Sequence, residues 1–534
     1  MKSFAKKGVL IFLFIFAFLA LVLNLWISQR PTSERDEIET IKIAIPYCDT
    51  IENMETNYYK TWLEDKMQVS IEFVYIRESY TNEYLRLMFN ADNNDIDAVL
   101  FSPGSGSVSM DNIYEYGEKG YLIAIDGYCQ NIETNLYRLF SKTTDFDLRE
   151  YMTGEDGHIY YFPNYEDARQ SKTAQVLWIN QEWLKALNLN IPQTTEQFRS
   201  VLQAFAENDP NRNGLPDEIP FISCEAKTGF QGYHFLINAF VYDNPQNAYF
   251  YASEDMVSFA PVLDEWREAL AYCADLYDAG LLVDRSFSYS ENQFIQIVND
   301  KNNVVGAFTS GASISEVVNA DSVEILNRYV AVAPLSGPDG VQFAAERTNL
   351  PTVGAIITSR CSDPDTAYAL LDLMLSEEAS LISKYGKKGV DWEYGRIGDI
   401  SQYGESASIY LIHDLSGVSQ NSNFSGYGPA AVPAVYLDGT TWNGVQTDQN
   451  YINARASLNY EAFYPESQLS SILSLDAAAL AEYQAIGAYA HEQLVHFITG
   501  EADIRSDAQW EEYLKGYASF SLEHTLTCIR GNFK

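Results

Sequence analysis

The feature that most constrains this chain is an uninterrupted apolar run near its start. Gly8 to Ser28 holds 21 residues without a charge, preceded by Lys2, Lys6 and Lys7. As a helix rising ~1.5 Å per residue, the run would span roughly 32 Å, enough to cross a bilayer. The positive flank lies before the run, so the remainder of the chain is expected outside the cytoplasm. Signal peptides have shorter apolar cores, roughly 7–15 residues, and end at a small-residue cleavage site. An uncleaved membrane anchor over 1–29 is therefore expected, a cleaved signal being the alternative. A polar linker over 30–40 follows. No cysteine precedes Cys48, so a lipid anchor directly after the run is excluded.

The remaining length is too great for one ordinary core and implies two lobes or domains. Acidic side chains number 73 against 35 basic ones, a formal net charge of −38. Such a surface repels phosphate backbones, so nucleic acid is not expected as a partner. The six cysteines are scattered without a CxxC pair, which removes zinc-type spacing and a dense disulfide scaffold. There are 37 tyrosines and 8 tryptophans, residues suited both to cores and to partly exposed binding surfaces.

Beyond the linker, apolar runs alternate with helical patterns. Strands are expected at 41–46, 69–76 and 96–101, with helices at 57–66 and 80–89 between them. This order specifies βαβ units and a mainly parallel sheet, hence an α/β fold. The turn 102–107 (SPGSGS) follows the third strand at the sheet end where open α/β folds bind ligands. A further strand ends at 176–179. A capping box, Thr194-x-x-Gln197, then starts a helix whose Phe198, Val201, Leu202 and Phe205 share one face. A helix over 264–278 and a strand over 304–308 come next, and the last hundred residues are mostly helical.

Directly after the Phe205 helix stands Asp209-Pro-Asn-Arg-Asn-Gly-Leu-Pro-Asp-Glu218. Oxygen side chains at alternate positions, Asp209, Asn211 and Asn213, with Gly214 for the turn, match the first half of a Ca²⁺ loop. Leu215 would add its carbonyl, and Asp217 and Glu218 further charge. An EF-hand needs a bidentate Glu at its twelfth position, where this chain has Pro220, so the loop is not an EF-hand. A solvated turn is the alternative. The expected role of Ca²⁺ is structural.

Five stretches of this chain resemble the family 1 extracellular solute-binding proteins of carbohydrate ABC importers. They are GHIYYFPN (157–164) with LWINQEWLKALNLNIPQTTEQF (177–198), NDPNRNGLPDEIP (208–220), YGKKGVDWEY (385–394), HFITGEADIRSDAQWEEYLKGY (496–517) and, more weakly, PLSGPDG (334–340). The chain is most similar to the long, Gram-positive lipoprotein-type subgroup. The resemblance implies a two-lobed, type II Venus-flytrap fold of the periplasmic-binding-protein class, monomeric, closing on a sugar or oligosaccharide and delivering it to permease subunits. It also implies calcium in the 209–218 loop. Lobe 1 is expected over about 41–150 plus 305–370, and lobe 2 over about 151–304 plus 371–534. The missing lipobox cysteine and the unmatched stretch 395–475 depart from the family pattern. A membrane-tethered sugar sensor or accessory module therefore stays open beside the transporter role.

Sugar rings stack their C–H faces on aromatics, while hydroxyls bond to polar groups. The expected platforms are Tyr160, Trp178, Trp392, Tyr394 and Trp442, with Asp97, Ser102, Asn164 and Asp391 as polar partners. Trp183 reads as core, because it shares a helix face with Leu184 and Leu187. No enzyme signature emerges. His491 and His496 are five apart and point about 140° away from each other on a helix, unlike a zinc-protease pair. A glycosidase needs only two carboxylates, so the residue types alone leave it as a rival.

Overall fold

The computed structural model describes residues 39–91, 95–103, 108–142, 146–253, 256–319, 322–465 and 477–532. The apolar run 8–28, most of the 30–40 linker and part of the 102–107 turn lie outside them. Among the described residues no helix is long and apolar enough to cross a membrane.

The chain builds its first lobe from β1 (Thr40–Pro46), β2 (Ser70–Ile76), β3 (Ala98–Leu100) and β4 (Phe162–Glu166). β1 pairs in parallel with both β2 and β3, and the connecting helices, Tyr58–Met67 and Thr81–Asn90, fall where the alternating pattern required them. It then crosses to the second lobe. There β5 (Val176–Asn180), β6 (Ile219–Ile222), a hairpin of β7 (Phe250–Ser253) and β8 (Met256–Phe259), β9 (Val305–Ser310) and β10 (Tyr329–Val332) follow. β5 and β9 are buried along their whole length, which explains their continuous apolar runs. The capped helix Thr195–Glu207 buries Phe198, Val201, Leu202 and Phe205 as their spacing requires, each contributing roughly 1.5–3 kcal/mol. Gln197 receives the Thr194 cap through its backbone N–H at 3.2 Å.

The chain returns to lobe 1 with β11 (Thr352–Ile357), then forms β12 (Trp392–Tyr394), β13 (Ile409–Leu411), β14 (Ala430–Val432) and β15 (Thr440–Trp442). It crosses a third time into the helix Gln449–Ser457 and the C-terminal helices, among them Ala477–Thr499. The lobe 1 sheet has the order β14-β4-β11-β3-β1-β2, and the lobe 2 sheet β10-β5-β9-β6. A separate sheet, β12-β13-β15, packs over Leu381, Tyr385, Trp392, Ile409, Val432 and Leu437 beside lobe 1.

Two expected lobe boundaries are corrected by this pairing. β9 and β10 belong to lobe 2, because β9 joins β5 and β6 while β10 joins β5. β4 and residues 371–442 belong with lobe 1, because β4 pairs with β11 and β14. Strand pairing between segments more than a hundred residues apart leaves no local trace in the sequence. All six cysteines are free thiols.

Candidate functional site

The first two crossings run antiparallel beside each other. Thr173 bridges Glu346, Ala174 donates its N–H to the Ala345 carbonyl at 3.1 Å, and Arg347 donates its N–H to Lys172 at 2.8 Å. Arg169, in the first crossing, gathers acids from elsewhere. Its guanidinium lies 3.4 Å from Glu405 and 3.5 Å from Glu461 and covers the Tyr403 ring, while its N–H bonds to Asp438 at 3.0 Å. The first two crossings are thus tied to each other, and Arg169 ties the first to Asp438 and Glu461 on either side of the third.

A cavity of about 380 Å³ opens beside these crossings. Lobe 1 contributes Thr50 after β1, Pro103 after β3, and Asn164 and Glu166 on β4; the crossings contribute Ser171 and Asn349. Ser383, Lys384, Asn423 and Ser425 close the far side. Most of this lining is hydroxyl or amide. The Thr50 and Ser425 hydroxyls are 3.0 Å apart, and the Asn164 amide donates to the carbonyls of Gly426 (2.8 Å) and Gly428 (2.7 Å). One ion pair stands in the wall, with Lys384 Nζ at 2.8 and 2.7 Å from the two Glu166 oxygens. The buried Ser383 hydroxyl has no partner among the described residues.

Lobe 2 offers a second groove of about 510 Å³, lined by Thr228, Gln231, Gln246, Gln484 and His491. Gln175, just past the first crossing, donates to the Gln231 carbonyl at 3.0 Å and so ties this groove to the crossings. Behind it lies a polar network. Glu225 accepts from Tyr233 Oη at 2.8 Å and sits 3.1 Å from His491 Nε2. Burial pushes the Glu225 carboxyl up, but these hydrogen bonds outweigh it and leave the group below the ordinary carboxylate range. Deeper still, His234 Nδ1 is 2.6 Å from Asp243, whose other oxygen accepts from Trp266 Nε1 at 3.1 Å.

The structure brings only part of the expected site together. Asn164 lines the first cavity, and Ser102 adjoins Pro103 there. Three expected platforms are corrected, because a ring without an open face cannot stack on a sugar. Trp178 is completely buried, its Nε1 donating to Ser310 Oγ at 2.8 Å. Tyr160 is buried against Gly117, where even a Cβ would approach its ring to 2.5 Å, and its hydroxyl donates to Asp156. Trp392 is buried and donates to the Gly386 carbonyl at 2.8 Å. Two carboxylates are likewise committed to the backbone: Asp97 accepts from Lys42 N and Ser362 N, and Asp391 from Lys387 N. Tyr394 is exposed under Lys388 Nζ, 4.0 Å from its ring centre, and Trp442 is half-buried against Tyr451. Neither lines either cavity. Sequence reasoning missed Glu166, Lys384, Asn423 and Ser425, which carry no motif and come together from segments far apart in the chain.

In the 209–218 loop the oxygen side chains are held by hydrogen bonds within the loop. Asp209 accepts from the N–H groups of Asn213 and Gly214 at 3.0 Å each, and Asn213 Nδ2 donates to both Asp217 oxygens at 2.9 and 3.0 Å. Gly214 takes the expected positive φ of 75°. One Glu218 oxygen is buried without a partner among the described residues. Among the described residues no group of three or more His, Cys, Asp or Glu side chains has a metal-binding arrangement. A cation here would thus draw on the amide oxygens of Asn211 and Asn213 and on the Leu215 carbonyl as well as on carboxylates.

Two α/β lobes, three crossings and a polar cavity beside the crossings make up the fold and its candidate site. No family model matches the chain. It is 23% identical over 461 residues to FusA, the fructooligosaccharide ABC transporter substrate-binding protein of Streptococcus pneumoniae, covering 81% of this chain and 79% of FusA. It is 26% identical over 332 residues to the lipoprotein LipO of Bacillus subtilis, covering 59% of this chain and 63% of LipO. Among solved structures, FusA in complex with kestose superposes with a TM-score of 0.66 at 20% identity, covering 93% of this chain and 99% of that one. An extracellular solute-binding protein from Bifidobacterium longum subsp. infantis gives 0.71 at 19% identity, with coverages of 94% and 99%. An EF-hand mutant of FusA in complex with fructo-nystose gives 0.66 at 20% identity, covering 93% and 99%. In sequence the chain is thus similar to a substrate-binding protein of an ABC transporter, and in fold to two-lobed solute-binding proteins.

Proposed function

We propose that the protein captures an oligosaccharide between its lobes, outside the cytoplasm, and delivers it to an ABC importer. The observation that carries this reading is the junction cavity, where the strand ends of lobe 1 meet two paired crossings in a lining of hydroxyls, amides and one ion pair. Such a lining bonds to sugar hydroxyls in both directions, and hinge closure brings the second groove over the ligand. The named ligand of FusA, a fructooligosaccharide, is the first class to test. Asn164 and Ser102 serve as polar partners, and Tyr394 and Trp442 remain the aromatic candidates once the lobes close.

The finer parts of the reading are a monomer tethered by 1–29, and a structural Ca²⁺ held by Asp209, Asn211, Asn213, Leu215, Asp217 and Glu218. The unpartnered Glu218 oxygen supports the metal. When bound, the ion would supply charge that lets three neighbouring carboxylates stay ionised together. Calorimetric titration of the full chain with kestose and longer fructooligosaccharides tests the main claim. Saturable one-to-one binding, with the sugar recovered intact, is expected. Failure across neutral oligosaccharides of every linkage would overturn it.

A further inference from the structure

A second cavity, of about 330 Å³, lies on the other face of the same strand. Side chains alternate across a strand, so Asn164 and Glu166 line the junction cavity while Tyr165 between them lines this one. Its wall is apolar, formed by Leu139, Leu375, Val432 and Pro433 beside the Tyr165 ring. Four charged side chains also reach it. Two already have partners, Arg138 with Glu133 at 2.9 Å and Glu377 with the Tyr436 hydroxyl at 2.7 Å. The other two do not. One oxygen of Asp167 is buried without a hydrogen-bond partner, and Lys142 is in no ion pair among the described residues.

A buried carboxylate oxygen without a donor is costly, and an ammonium group satisfies it best through a charge-assisted bond. The Lys142 ammonium is exposed and, being in no ion pair among the described residues, is free to take an anion. A neutral sugar would answer at most the first, and an apolar molecule neither. We propose that this cavity is a binding site for a small zwitterion of the amino-acid class, its ammonium on Asp167, its carboxylate on Lys142 and its apolar side group against Leu139, Leu375 and Val432. The volume, at the lower end for ligand pockets, suits a single residue rather than a peptide. The inference is independent of what the junction cavity binds.

The test is calorimetric titration of the purified full-length protein with L-leucine and L-phenylalanine, repeated with their N-acetyl amides, which carry neither charge. Saturable binding of at least one free amino acid is expected, with none by its capped form. Asp167→Asn and Lys142→Met should each weaken it at least tenfold, with melting temperatures close to the parent's. The oligosaccharide that fills the junction cavity should leave the amino acid bound. Absence of binding, equal binding of the capped form, indifference to both substitutions, or displacement by the oligosaccharide would each overturn the assignment.

Discussion

Lys384 holds both carboxylate oxygens of Glu166, at 2.8 and 2.7 Å, and so joins the last turn of the helix Glu377–Tyr385 to the end of β4 inside the junction cavity. The two side chains are 38% and 34% exposed, and pairs with that much water contribute at most about 1 kcal/mol to stability. Their place in the lining matters more than their contribution to folding. Lys384→Met should therefore leave the melting temperature within a few degrees of the parent. It should weaken oligosaccharide binding about tenfold, or about 1.4 kcal/mol, in calorimetric titration. Unchanged affinity would move the ligand out of this cavity.

Trp178 fills the lobe 2 core and should behave as a core residue. Trp178→Ala leaves a void where an indole stood and is expected to cost roughly 3–5 kcal/mol in chemical denaturation. The folded fraction should bind oligosaccharide within a factor of about two of the parent. A variant of parental stability that had lost the sugar would restore Trp178 as a stacking platform.

Glu225 carries a pH signature. Its folded-state carboxyl lies below the ordinary range, through hydrogen bonds from His491 and Tyr233 that outweigh burial. A depressed carboxyl adds stability above its unfolded value and loses it as pH falls through the folded one. Its contribution is thus complete at neutral pH and disappears on the acid side of the ordinary carboxylate range. Glu225→Gln should lower the melting temperature at pH 7 and converge with the parent as both are acidified. Parallel curves at all pH values would show that the network behind the lobe 2 groove holds no depressed carboxylate.

The α/β alternation was legible because it is local: β1, β2 and the helix Thr195–Glu207 announce themselves by period and cap. Trp183 likewise read as core from its helix spacing, and it is fully buried. Trp178 was not legible as core, since a tryptophan in a short apolar run looks alike whether one face or both are covered. The junction cavity could not be read either. Glu166 and Lys384 lie 218 residues apart, and their meeting depends on which strands pair. The resemblance to solute-binding proteins supplied the two lobes, but the lobe boundaries followed from β9 joining β5 and β6, which no segment encodes by itself.

The 209–218 loop gives the last test. Burial raises the Glu218 carboxyl, and the charges of Asp217 and Asp209 raise it further. Without metal, a raised carboxyl favours the folded state below its unfolded value, and this is lost as pH rises through the folded one. Calcium reverses that balance, because it binds the ionised form and displaces the proton. A ligand present at a hundred times its Kd adds about 2.7 kcal/mol. Calcium should therefore raise the melting temperature by several degrees at pH 7, and chelation should remove the gain. The gain should shrink toward pH 5 as protons compete for Glu218. Glu218→Gln should lessen it at pH 7 and flatten its pH dependence. A melting temperature indifferent to both calcium and chelator at pH 7 would leave 209–218 a solvated turn, held by the hydrogen bonds of Asp209, Asn213 and Asp217.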